Sequence, residues 1–317
     1  MPPQPPQRGA SVARKIGMGA LGTTVLALGV LVAWRFIERP REERTADLRD
    51  GRRRAARYLH GAASILSFSV LTDSAIEHYR GAFHNPGMYV APLVAAVTLG
   101  NGLMMTARPQ GRSVARAGLC GLALVTGMAG TGFHAYNVAK REGGFALLNL
   151  FYGAPLGAPA AIALAGLAGL AALRLVGEKE DEAPARLLRV PAGPLLGAGT
   201  AAALCGTVAE AALLHFRGAF HDPFMFLPVT VPPLTALMLT ASIAKREWRK
   251  IARGMLGATA LLGLGGMGFH AYGVSRNMGG FGNWRQNILN GPPLPAPPSF
   301  TGVALAGLAA LSLMEER

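Results

Sequence analysis

Cysteine is nearly missing from this chain: Cys120 and Cys205 are its only two among 317 residues. Both lie inside apolar runs without metal-type spacing, so no disulfide framework or zinc module is implied and both read as small core residues. Charge is scarce too, with 15% of residues charged against about 25% in an ordinary soluble domain. Acidic residues are the scarcer sign, 17 against 31 Lys and Arg, for a net charge of +14. In a soluble protein that balance would suggest nucleic acid. Here the basic residues fall between apolar stretches, which excludes such a partner. A phosphate-binding Gly-rich loop, a nucleophile elbow and a C-x-x-C pair are absent as well, so no soluble catalytic apparatus is legible.

What the chain does have is hydrophobicity, 51% of its residues, together with 42 Gly. Uncharged stretches such as 154–173 and 192–208 offer no polar face to water and read as membrane spans. The expected fold is therefore all-α, a polytopic membrane protein with a lipid bilayer as its first partner. Near the N-terminus, Arg8, Arg14 and Lys15 precede an apolar stretch from Ile16 to Trp34 that runs straight into Arg35. That stretch is longer than a signal-peptide core and has no small-residue cleavage site, so it reads as a retained first helix.

The rest of the chain repeats itself. Arg80-Gly81-Ala82-Phe83-His84 recurs as Arg217-Gly218-Ala219-Phe220-His221, and Gly132-Phe133-His134-Ala135-Tyr136 as Gly268-Phe269-His270-Ala271-Tyr272. Around them His78 matches His215, Asp73 matches Glu210, Met88 matches Met225 and Lys140 falls opposite Arg276. Each copy holds four apolar runs, 56–79, 87–107, 117–138 and 156–176, then 192–216, 224–244, 254–274 and 297–315. With the first helix this predicts nine spans. An even number per copy makes the repeat parallel, unlike inverted-repeat transporters. The expected domains are 1–50 (tip, first helix and basic linker), 51–178 (first four-helix repeat) and 179–317 (charged linker and second repeat).

Of the Lys and Arg residues, 22 lie on one side of these spans and nine on the other. The positive-inside rule makes the richer side cytoplasmic. The expected location is a bacterial inner membrane, with the N-terminus outside, the C-terminus in the cytoplasm and both histidine motifs at the outer face.

Six of the seven histidines sit at paired positions, and only His60 is without a match. His78 and His134 stand within about 3 Å of each other in depth at 1.5 Å per residue, and His215 and His270 repeat the arrangement. Histidine within a span is costly and points to function, although a duplication would copy structural histidines just as faithfully. Two haem b groups are one reading, with His78 and His134, and His215 and His270, as axial pairs. In it Arg80, Arg217, Lys140 and Arg276 meet the propionates, and the glycines of the third helices (Gly118, Gly121, Gly127, Gly130 and Gly132; Gly254, Gly257, Gly263, Gly266 and Gly268) make room for a macrocycle. Close helix packing explains the same glycines. The other reading is a transition-metal site of three imidazoles per half, His78, His84 and His134, then His215, His221 and His270, with Asp73, Glu77, Glu210, Met88 or Met225 nearby. The function expected is electron transfer between the quinone pool and an extracytoplasmic redox protein. A membrane anchor or assembly factor, and a small-solute transporter, are the rival classes.

Overall fold

The computed structural model describes residues 48–109, 113–177 and 185–315. The expected first helix, the linker from Glu178 to Pro184 and Arg317 lie outside the described residues. The described chain is almost entirely helical, because a backbone in lipid has to satisfy its own hydrogen bonds. Six helices are long and apolar enough to cross a membrane: Asp50–Arg80, Pro86–Ala107, Val114–Ala139, Gly157–Val176, Ala192–Arg217 and Pro223–Ala244.

We label the α-helices α1 (Leu48–Arg80), α2 (Val90–Ala107), α3 (Val114–Ala139), α4 (Leu147–Tyr152), α5 (Gly157–Gly177), α6 (Ala192–Arg217), α7 (Leu227–Ala244), α8 (Arg249–Arg276), α9 (Trp284–Asn287) and α10 (Pro298–Met314). Helices α8 and α10 occupy the last two predicted runs without joining the six. Helix α8 has an uncharged stretch, 254–275, but its glycines and His270 dilute the apolar character, and α10 has 17 residues, about 26 Å of rise. The expected count of nine is thus six among the described residues. A two-residue hairpin, β1 (Arg186–Leu187) with β2 (Val190–Pro191), leads into α6. It turns through Leu188 and Arg189 at φ 51° and 67°.

In the first half α1 packs on α2 and α5, and α5 on α3; in the second α6 packs on α7 and α10, and α10 on α8. The halves join mainly where α10 lies along α1, whereas α5 meets α6 only lightly. Small residues set these distances. Gly61 lies against Leu305, Gly302 against Leu66 and Ala62, and Gly102 against Ser64. Polar side chains add interhelical bonds, as where Thr235 on α7 meets the Thr259 hydroxyl and the Met255 carbonyl on α8.

The glycines of α3 and α8 divide by face. Any side chain at Gly127 would fall on the backbone of Ala163, and one at Gly263 on Thr301; Gly130 and Gly266 lie against Pro159 and Pro297. Gly118, Gly121, Gly132, Gly254 and Gly268 face open space. Leu at Gly127 or Gly263 therefore overpacks a helix contact, at a cost of about 1–3 kcal/mol. Thermal melts in detergent should show lower midpoints for both variants and an unchanged one for Gly118→Leu.

Candidate functional site

Helix α1 ends in a turn that the second half reproduces in detail. Ala82 and Phe83 have φ of 54° and 46°, and Ala219 and Phe220 the same two values. Left-handed backbone is uncommon outside glycine and costs energy wherever it is held, so two consecutive residues of this kind in both halves mark an over-determined turn. Several bonds hold it. The Phe83 and Phe220 amides donate to the carbonyls of His78 and His215. Asn85 and Asp222 accept from the amides of Gly87 and Phe224, capping the 3-10 turns that begin at Pro86 and Pro223. Phe83 stacks on Tyr89 at 4.3 Å and Phe220 on Phe226 at 4.7 Å.

The histidines stitch this end of the molecule together. His78 Nδ1 lies 2.5 Å from the Met88 carbonyl oxygen, and His215 Nδ1 2.9 Å from that of Met225. Each of these bonds ties the end of one span to the start of the next. On the third helix of each half, His134 Nδ1 reaches the Pro155 carbonyl at 2.5 Å and His270 Nδ1 that of Pro293 at 2.7 Å. A carbonyl only accepts, so all four Nδ1 atoms carry the proton and, in the neutral ring, Nε2 keeps its lone pair. In the second half the two rings approach each other, His215 and His270 lying 6.4 Å apart between centroids with 71° between planes.

His84 and His221 stand apart from these pairs. Both are exposed, and their Nδ1 atoms return to the Gly81 and Gly218 carbonyls at 2.9 Å. Among the described residues no three His, Cys, Asp or Glu side chains come together in a group fit to hold a metal ion. The three-imidazole arrangement expected from the sequence is therefore not assembled, because the turn directs its own histidine back onto itself. Met88 and Met225 press their methyl ends on Gly81 and Gly218, an occupation that suits packing.

The cations expected at propionates have other neighbours. Arg80 bonds both oxygens of Glu77, at 2.7 and 2.9 Å, one turn away, so it has a nearer partner than Asp73. Arg217 lies 5.2 Å over Tyr152, Lys140 5.4 Å over Tyr136 and Arg276 5.5 Å over Tyr272. Such cation and ring pairs are at home at a membrane interface. The glycine cradle is filled as well, since Gly130, one turn below His134, lies against Pro159 and Gly266, one turn below His270, against Pro297. These two glycine faces are thus taken by helices and offer no bed for a macrocycle beside His134 and His270. Asp73 and Glu210 come within electrostatic reach of each other where the halves meet, and Glu210 accepts from the Gly157 amide at 3.3 Å. His60 is remote from all this, fully buried in α1 with neither ring nitrogen bonded.

Sequence reasoning missed the residues that hold the carbonyl acceptors. The loops before the fourth helix of each half look divergent, yet Asn149 donates to the carbonyls of Glu142 and Gly144, and Asn287 to those of Met278 and Gly280. Gly143 and Gly144 have φ of 83° and 56°, and Gly279 and Gly280 81° and 53°. Gly153 and Gly291 let the chain pass against the carbonyls of Asn149 and Asn287, just before Pro155 and Pro293. The recurrence of Gly-Gly-Phe, with an Asn a few residues on, was the available signal. Between the halves, an open groove of about 750 Å³ is lined by Glu77, Tyr79, Arg80, Gly81, Arg285, Leu289 and Asn290.

Comparison with known proteins gives no guide, since no protein family, curated protein or solved structure matches the chain. The loop bonds make their own prediction. Asn287 is 3% exposed; its loss removes the buried donor to the Gly280 carbonyl and leaves the Met278 carbonyl only the longer bond from Asn283, at about 1–3 kcal/mol. Asn287→Ala should lower the melting midpoint in detergent, whereas Asn290→Ala, on the exposed loop surface, should leave it unmoved.

Proposed function

We propose that the chain is a duplicated membrane protein whose paired outer-face imidazoles bind a transition metal and serve electron transfer. The observation that carries this reading is the common state of His78, His134, His215 and His270: each has Nδ1 committed to a backbone carbonyl and Nε2 left to bind. Metal-ligating histidines ordinarily have their second nitrogen fixed in this way, which sets both tautomer and ring direction. The 6.4 Å between the His215 and His270 centroids leaves room for one ion shared by two rings once both Nε2 atoms turn to it, an imidazole nitrogen sitting about 2.0–2.1 Å from its metal. When bound, a bare transition-metal ion would supply one-electron chemistry.

The chain's own residues do the positioning. Met88 and Met225 hold His78 and His215 through their carbonyls; Pro155 and Pro293 hold His134 and His270. Asn149 and Asn287 keep the loops that carry those prolines in place. Lys140, Arg217 and Arg276, lying on tyrosines, fix the helix ends at the level of the headgroups. A quinone pool in the bilayer on one side and an extracytoplasmic redox protein on the other fit a centre at the membrane surface. The protein would sit in a bacterial inner membrane with nine spans, and the loop charges support an outer N-terminus and a cytoplasmic C-terminus.

An absorption spectrum with metal analysis of the purified protein tests the reading. A non-haem transition metal at two per chain is the expected result, and His134→Ala or His270→Ala should each remove about half of it, because either leaves one complete pair. His84→Gln and His221→Gln should leave it bound. Metal-free protein, or full content in every histidine variant, would make the imidazoles purely structural and leave the anchor or assembly role standing. For orientation, a reporter active only outside the cytoplasm should work when fused after Gly143 or Gly279 and fail after Gln110 or Lys250. The opposite pattern would move the histidines to the cytoplasmic side.

A further inference from the structure

Helix α6 presents an outward face unlike that of the other helices. From Ala192 to His215 it exposes no large apolar side chain, whereas α2 exposes Leu93, Val97, Leu103 and Met104, and α3 exposes Leu122, Val125, Met128 and Phe133. The exposed positions of α6 are Ala198, Gly199, Ala202, Cys205, Gly206 and Ala209, all within an arc of about 120° at 3.6 residues per turn. Nothing stands within 4 Å of where a side chain at Gly199 or Gly206 would begin. The matched positions of α1 are covered: Gly61 lies against Leu305, and Ala62 and Leu66 lie against Gly302, all on α10. By the offset that pairs the histidine motifs, Gly61 and Ala62 correspond to Ala198 and Gly199. The face of α1 that a helix covers is therefore open on α6.

We infer that the apolar segment from Ile16 to Trp34 packs against this open face of α6. The segment lies outside the described residues and is the one span of the expected nine without a counterpart in the repeat. Its place must then be one where the halves differ, as this face is. On a helix, Gly19, Gly22, Gly29 and Ala33 fall within an arc of about 80°, with Leu26 the one large residue among them. Small residues on both surfaces let two backbones come close, which is how helices associate in lipid.

Reach and depth agree. Residues 35–47 join the segment to α1, and 13 extended residues span about 43 Å. Helix α1 touches α10 and α10 touches α6. At about 8–10 Å between neighbouring axes, the far side of α6 lies about 30 Å from α1. Because four spans, those of α1, α2, α3 and α5, separate the starts of α1 and α6, both begin on the same side of the membrane, the side at which Trp34 ends. Cys205 stands 13 residues above Ala192 and Gly22 12 residues above Trp34, so both are about 18–20 Å from that side. This inference rests on the sequence repeat and is independent of the histidine reading.

Cys205 is exposed and Cys120 buried, which gives the test a native reporter. In Cys120→Ser protein in membranes, Gly22→Cys is oxidised and run on a non-reducing gel, with Thr24→Cys, on the opposite side of the segment, as the control. Labelling with a membrane-permeant maleimide first confirms that each new thiol reacts. The expected product is a shifted band of monomer size with Gly22→Cys, lost on reduction and in Cys205→Ser, with little or none from Thr24→Cys. A dimer-sized product would assign the face to a second copy of the chain. That outcome, equal linking at both positions, or no link at either would overturn the inference.

Discussion

An imidazole bonded to a backbone carbonyl is the interaction around which one end of this helical protein is organised. Backbone that leaves a helix near lipid carries carbonyls without partners, and here four of them are met by His78, His134, His215 and His270. Two of the bonds clamp the turn from the first span to the second in each half. The other two join the third span to the loop that begins the fourth. Without these donors, Met88, Met225, Pro155 and Pro293 would present unmet carbonyls at the same depth, and the strained Ala82-Phe83 and Ala219-Phe220 turns would lose a restraint. In the proposed function, structure and chemistry are served by different atoms of one ring, Nδ1 holding the backbone and Nε2 taking the ligand.

That division of labour explains why structural and functional readings of the histidines are hard to separate by sequence. A pattern of paired histidines identifies the positions but not which nitrogen is engaged. The spans were legible because length and lack of charge suffice to define them. Helix α1 runs from Leu48, farther back than its apolar run, since Arg52 to Arg54 and Arg57 are good helix formers that nothing interrupts. The glycines were legible as an approach surface, but not what approaches. Gly127 and Gly263 turn to a neighbouring helix while Gly118 and Gly254 turn outward, and the difference depends on rotation about the helix axis.

The loops were the least legible part. Asn149 and Asn287 perform one task, yet they stand 138 apart where the turn motifs stand 137 apart and the third-helix motifs 136, so small insertions hide the match. Their bonds go to backbone carbonyls, which leave no trace in side-chain type. The same holds for His84 and His221, which look like ligands by spacing and in the fold close their own turns. Unequal packing of the halves, tight at α1 with α10 and open at α6, likewise depends on small differences such as Ala198 where α1 has Gly61.

The central claim is that the paired rings hold Nδ1–H to carbonyls and keep Nε2 for a metal. Nitrogen-15 resonances of histidine-labelled protein in lipid read both nitrogens of each ring directly. With metal bound, the account predicts protonated, hydrogen-bonded Nδ1 in His78, His134, His215 and His270, and Nε2 shifted or broadened in the same four but not in His84 or His221; chelation should return those Nε2 signals to free neutral imidazole. Protonated Nε2 in the four rings, or Nε2 signals indifferent to metal, would contradict it.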